Sequence, residues 1–260
     1  MKKLKYTASK ILCFLCCWLL NSLKGGKSPN MDREELRAVR LSFSQFGEDL
    51  IIADLAQMLD LRERTYVDVG AFDPLASSNT LLLHKQGWRG VNVDLDQEKI
   101  VKFNQKRPED QNFCACVSDK PSSVMVARYG RTQTNRVVQD LSEKSLCEEL
   151  PVSVEKDVRT TTLTSLLDGS RLANRPIGFL NIDCEGGDLR VLQGLDFSRY
   201  SPTIIATEAH NQSEEADLAA FLESNGYTLY SKVYITLIFT VRMPTVADRV
   251  PELRSRNQVS

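Results

Sequence analysis

Thr65-Tyr66-Val67-Asp68-Val69-Gly70-Ala71-Phe72-Asp73 decides how the rest of the chain is read. Tyr66, Val67 and Val69 form a short run of aromatic and β-branched residues, the composition of a parallel strand buried on both faces. The run stops at Gly70, where the backbone can turn sharply and a ligand can approach without meeting a Cβ. Pro74 bars the strand from continuing, and Ser77, Ser78 or Asn79 can cap a helix expected from Thr80 to Gln86. Strand, glycine turn and helix entry make the unit with which open α/β sheets build a nucleotide crevice at their strands' carboxyl ends.

Working outward, the same alternation recurs. Strands are expected at Gly90 to Asp96, Asn112 to Asp119, Val124 to Tyr129, Gly178 to Asp183 and Thr203 to Thr207, with an extended segment from Val152 to Thr160. Helices are expected at Gln97 to Gln105, Leu163 to Leu167, Asp188 to Gln193, and from a Ser213 cap to Asn225 with Gly226 as the stop. Upstream, Asp32 to Leu61 has a helical pattern with Ser44 as an N-cap. Tyr227 to Tyr230 and Tyr234 to Val241 read as an antiparallel hairpin. The fold class is therefore α/β, a mostly parallel sheet of about seven strands with helices on both faces and a C-terminal hairpin. Residues 43–242 form the main domain, preceded by a linker and helix start at 28–42 and followed by a polar tail at 243–260.

With 42% hydrophobic and 26% charged residues the composition is that of a globular protein. A net charge of -1 gives no basic surface for nucleic acid. The seven cysteines include no metal-type C-x-x-C pair. Cys114 and Cys116, two apart in an expected strand, should point the same way into the core as reduced residues of a cytosolic protein. Residues 1–27 place four lysines before the apolar run Ile11 to Leu20, and Lys24 and Lys27 after it. That run is short against the ~20 residues of a membrane span. It suits a helix lying in a membrane interface, a signal or short anchor, or a packed helix; the first gives a cytoplasmic protein held weakly on the inner membrane face.

Polar residues cluster at the expected strand ends: Asp68 and Gly70, Asp94 and Asp96, Ser118 and Asp119, Asp183 and Glu185, Glu208 and His210. In a parallel sheet these ends share one rim. Asp94 lies 24 residues after Gly70, close to the ~20-residue spacing at which an acid accepts the ribose hydroxyls of a bound nucleoside. Gly70-Ala71-Phe72-Asp73-Pro74-Leu75 lacks the G-x-G-x-x-G that a dinucleotide needs, and Asp73 at its mouth would repel pyrophosphate while tolerating a sulfonium. The ligand indicated is S-adenosylmethionine rather than NAD. A P-loop is absent.

Ser44-Gln45-Phe46-Gly47-Glu48-Asp49, Tyr66 to Ala71, Gly87-Trp88-Arg89-Gly90-Val91-Asn92-Val93-Asp94, Phe103 to Pro108 and Ile182-Asp183-Cys184-Glu185-Gly186-Gly187-Asp188 together resemble the FkbM-type S-adenosylmethionine-dependent methyltransferases, from about Phe43 to Val241. The resemblance implies a class I methyltransferase fold, Rossmann-like, and O-methylation of a sugar, polysaccharide precursor or secondary metabolite. It places Asp68 and Gly70 on the methionine side, Asp94 at the ribose, Ser118 and Asp119 at the adenine edge, and Asp183 and Glu185 toward the acceptor, while Asp73 is a donor-site candidate from its place at the turn's mouth alone. The chain departs from the family pattern at Phe72-Asp73-Pro74 and at Cys184. A hydroxyl acceptor needs a base, for which Asp183, Glu185, Glu208 and His210 are the candidates. No residue is assigned as a metal ligand, although Asp183 with Glu208 could alternatively hold Mg²⁺ through their oxygens. Arg128, Arg131 and Arg136 could grip an acidic group on the acceptor, and His84, mid-helix, reads as structural. A scaffold that binds the nucleoside without turnover, and an NAD-linked oxidoreductase, are the competing readings.

Overall fold

The structure, a computed structural model, describes residues 32–128, 136–138 and 153–244. The segment 1–27, Arg131, the side chain of Arg136 and the tail from residue 245 lie outside the described residues. No helix among the described residues is long and apolar enough to cross a membrane.

The chain divides into two units, Met1–Leu41 and Ser42–Ser260. In the first, α1 (Arg33–Ala38) begins in a capping box, Asp32 accepting from the Glu34 and Glu35 amides and Glu35 accepting from that of Asp32. In the second, α2 (Glu48–Met58) follows Gly47 as its N-cap. The helical pattern expected from Asp32 to Leu61 is thus two helices, and Ser44 is not the cap. The Asp49 carboxylate accepts from the Ser42 and Ser44 hydroxyls and the Phe43 amide, which draws residues 42–47 into a turn. Short polar side chains there satisfy groups a continuous helix would have needed.

Next come β1 (Thr65–Val69), α3 (Leu81–Lys85), β2 (Arg89–Asp94), α4 (Gln97–Lys106), β3 (Gln111–Cys114), β4 (Cys116–Val117), β5 (Ser123–Arg128) and β6 (Arg136–Val138). The remainder is β7 (Ser153–Thr161), α5 (Leu163–Asp168), β8 (Phe179–Ile182), α6 (Asp188–Gln193), β9 (Ile204–Glu208), α7 (Gln212–Ser224), β10 (Thr228–Val233) and β11 (Thr236–Thr240). Asn211, not Ser213, caps α7, its side chain accepting from the Glu214 amide.

Seven strands form one sheet in the order β10-β11-β9-β8-β1-β2-β3, and the expected mostly parallel sheet with its terminal hairpin is borne out. Only β11 runs against its neighbours. The core explains the uninterrupted apolar runs. Val67, Val69, Val91, Val93, Leu180 and Ile182 face one cluster with Leu163, Leu167, Val191, Leu192, Leu218 and Leu222 of α5, α6 and α7. Tyr66, Phe179, Ile204 and Ala206, on alternate positions, face a second cluster with Ile52, Leu55 and Leu83 of α2 and α3. Both sides of the sheet are covered, so neither shows a polar alternation.

The strand expected from Asn112 to Asp119 breaks at Ala115. β3 stays with the main sheet, while β4 pairs with Thr160 and Thr161 in a second sheet, β4-β7-β5-β6. Cys114 is exposed and Cys116 buried, so the two do not point alike into the core; both are free thiols. β7 reads Ser-Val-Glu-Lys-Asp-Val-Arg-Thr-Thr and is largely exposed, with no apolar run to announce a sheet.

Beneath the turn after β1 lies Arg107, fully buried. Its guanidinium donates to the Thr80 hydroxyl (2.8 Å), the Pro74 carbonyl (2.8 Å) and the Ser78 hydroxyl (2.9 Å). Tyr66 beside it donates to Asp110, which also accepts from the Gly90 amide and the Asn92 side chain. Asp110 lies 3.4 Å from His84.

Candidate active site

The sheet order reverses between β1 and β8: from β1 the chain steps outward through β2 and β3, and after β8 it steps the other way through β9. At such a switch point the loops leaving neighbouring strands diverge and a crevice opens. A cleft is found there, lined from the ends of β1 (Asp68, Gly70, Phe72), β2 (Asp94), β8 (Asp183, Glu185) and β9 (Glu208). Cys116, Val117, Ser118 and Val137 reach it from the second sheet.

On the β1 and β2 side the carboxylates are held in place. Asp68 accepts from Thr80 (2.6 Å) and Asn181 (2.9 Å), and Asn181 accepts in turn from Asn79 (3.0 Å). The Gly70 and Ala71 amides donate to the Val93 carbonyl, closing the turn onto β2. Asp94 accepts from the Asp96 amide (2.8 Å), the Phe72 amide (3.0 Å) and Lys99 (3.4 Å), the last also lying 4.9 Å from the Phe72 ring. Burial pushes Asp68 and Asp94 above the usual carboxylate range. Phe72 (φ 53°) and Glu185 (φ 52°) both line the cleft in the left-handed region, where a side chain costs energy.

On the β8 and β9 side acids crowd together. Burial, then the charges of Glu208, Asp188, Glu185 and Asp68, hold Asp183 well above the usual range. Burial, followed by Asp188, Glu185 and Glu48, raises Glu208 to about 7. Asp188 is raised to about 6 by burial, against the hydrogen bonds it accepts from the Glu208 and Cys184 amides and the Thr207 hydroxyl. That carboxylate ties the ends of β8 and β9 together. Folded Glu208 and Asp188 thus hold protons that their unfolded counterparts, at 4.5 and 3.8, have released. Stability falls as pH rises through about 6 to 7. Thermal melts should show a higher Tm near pH 6 than near pH 8, and Glu208→Gln should flatten the difference.

Residues 68–229 match the methyltransferase FkbM domain. The chain belongs to the FkbM methyltransferase family. No curated protein matches the sequence. Among solved structures, a TehB-like SAM-dependent methyltransferase from Corynebacterium glutamicum is 14% identical over 80% of this chain and 94% of that one, with a TM-score of 0.37. Magnesium protoporphyrin IX methyltransferase from Synechocystis, solved with bound SAM, is 11% identical over 86% and 88%, with a TM-score of 0.37. The fold is that of a class I methyltransferase, read from the strand order itself.

Of the residues singled out in the sequence, Asp68, Gly70, Asp94, Ser118, Asp183, Glu185 and Glu208 converge on the FkbM cleft. Four do not line it. Asp96 instead caps α4, accepting from the Glu98 amide. Asp73 turns aside to accept from the Leu75 and Ala76 amides, closing its own loop. Asp119 accepts from the Ser118 hydroxyl. His210 donates its amide to Glu214, and its buried Nε2 has no hydrogen-bond partner among the described residues. Arg128 pairs with Glu155 at 2.7 Å and is not in the lining either. No group of three or more His, Cys, Asp or Glu among the described residues is arranged to hold a metal ion. Sequence reasoning missed Glu48, Asn79, Lys99 and Asn181, which line the cleft from helix starts and mid-chain positions that carry no strand-end signal.

Proposed function

We propose that the cleft binds S-adenosylmethionine and that the enzyme methylates a hydroxyl of a sugar, polysaccharide precursor or secondary metabolite. The observation that carries this reading is the acidity of the switch-point cleft. Asp68, Asp94, Asp183 and Glu208 line a crevice entered by a single glycine turn, a setting hostile to a pyrophosphate and suited to a sulfonium donor. The family assignment supports it. Asp94 is the residue to accept the ribose hydroxyls, Asp68 and Gly70 flank the methionine portion, and Ser118 lies toward the base. The donor supplies an activated methyl group. The chain's own contribution is to align the acceptor oxygen in line with it and to take the acceptor's proton. Among the candidate bases Glu208 is best matched, because its ordinary value is shifted to about 7 and it is half-buried at the cleft. Only the deprotonated form accepts a proton, so turnover should climb with pH through about 7 and level off above it. A rate profile flat across that range would remove Glu208 from the role.

Calorimetry tests the reading directly. S-adenosylmethionine and S-adenosylhomocysteine should bind while NAD does not. Asp94→Ala should weaken both nucleosides by about 1–3 kcal/mol, the loss expected for hydrogen bonds to a charged acceptor. Unchanged affinity would take Asp94 out of the site, and preferential binding of NAD would favour the oxidoreductase reading.

A further inference from the structure

Glu48 reaches the cleft from the first residue of α2, upstream of the segment that matches the family. It is 2% exposed, and one carboxylate oxygen accepts from the Phe46 amide at 2.8 Å. Its other oxygen lies 3.4 Å from the Thr236 hydroxyl at the start of β11, downstream of the match. The same hydroxyl is 3.4 Å from Glu208 Oε1. A threonine hydroxyl carries one proton, so it can donate to one of these two carboxylates and not to both. The other oxygen stays open to a donor arriving through the cleft. Asp183 and Glu185 add carboxyl oxygens to the same lining. Among the described residues its cations are Lys99, which lies 3.4 Å from Asp94, and Arg190, exposed on α6.

Resting on the methyl-donor reading above, we propose that Glu48 and Glu208, bridged by Thr236, form the wall that selects the acceptor, gripping the hydroxyls of an uncharged, hydroxyl-rich molecule and turning away phosphorylated or carboxylated ones. A carboxylate accepts two donors at once, which suits neighbouring hydroxyls, and an anion entering beside Glu48 and Glu208 would meet like charge at close range once Glu208 is ionised above about pH 7. Glu48 thereby acts as a specificity residue supplied from outside the matched domain.

The test needs no knowledge of the acceptor. Sinefungin carries an ammonium group where the donor carries its methyl-bearing sulfur, and S-adenosylhomocysteine carries neither charge nor methyl there. By calorimetry the wild-type protein should prefer sinefungin by about tenfold or more, as charge-assisted hydrogen bonds to the wall imply. Glu48→Gln should shrink that ratio while leaving the S-adenosylhomocysteine Kd unchanged, and Glu48→Asp, which keeps the charge, should restore part of it. Thr236→Val provides a second variant that leaves the start of α2 intact and should shift the ratio in the same direction. Binding of S-adenosylhomocysteine with no preference for sinefungin, or a preference that survives both Glu48→Gln and Thr236→Val, overturns the inference alone. Failure of the wild-type protein to bind either compound overturns the donor reading and this inference with it.

Discussion

Gly70→Ala should destabilise the protein by about 2–5 kcal/mol and abolish donor binding. Gly70 has φ 79°, a region that costs an L-residue ~1–2 kcal/mol. The larger difficulty is space: a Cβ there would sit 1.8 Å from the Asp183 carbonyl oxygen, on the backbone of the neighbouring strand. Backbone cannot rotate away as a side chain can, so β1 and β8 would have to part where the cleft opens, at an overpacking cost of ~1–3 kcal/mol. At roughly 2–4 °C per kcal/mol for a domain of this size, Tm should fall by about 4–20 °C. Gly87→Ala supplies the control. Its φ is 91°, but nothing lies within 4 Å of the added Cβ, so it should incur the conformational penalty alone. Equal losses at the two positions would show that crowding against Asp183 is unimportant.

Arg107→Met should be as damaging, by about 3–5 kcal/mol, because it removes one partner from a buried polar network and leaves the others without it. Methionine fills a similar volume but donates nothing. The Pro74 carbonyl and the Ser78 and Thr80 hydroxyls would lose their donors, and buried Asp68 would lose the nearby positive charge that moderates its raised pKa. The effect should pass to the cleft through Thr80, which donates to Asp68. Donor affinity should fall along with urea resistance. Arg107→Lys should recover little, since an ammonium cannot reproduce the planar fork that reaches three oxygens in different directions. Wild-type stability in Arg107→Met would mean that water or rearranged hydroxyls satisfy the network as well as the guanidinium does.

Much of this architecture was legible in the sequence because parallel strands covered on both faces must be apolar throughout. Val67 and Val69 on one side and Tyr66 on the other left β1 no alternative, and Phe179 to Ile182 repeated the pattern. The acids at the ends of those strands then had to meet, and Asp68, Asp94, Asp183 and Glu208 do. The strand at Val124 to Tyr129 and the extended segment at Val152 to Thr160 were legible, but their pairing into a separate sheet was not: Ser153–Thr161 is solvated over most of its length and carries no burial pattern. Cys116 belongs to that sheet, which is why the expected strand through Asp119 breaks. Asp73 and His210 sit where a strand-end rule places functional groups, yet their hydrogen bonds serve local turns, and chain position alone does not distinguish the two uses. Glu48 escaped because it stands at a helix start, where an acid is expected for electrostatic reasons alone.

The reversed strand has a consequence for how the molecule is made. β11 lies between β9 and β10 although it follows both in the chain, so during synthesis Ile204–Glu208 must wait with an open hydrogen-bonding edge until Thr240 has emerged. An uncovered edge of Ile-Ile-Ala-Thr-Glu is a template for pairing with other nascent chains. Truncation products that stop short of residue 236 would therefore be prone to aggregate as well as inactive, which makes the final hairpin the seal on the sheet during biogenesis.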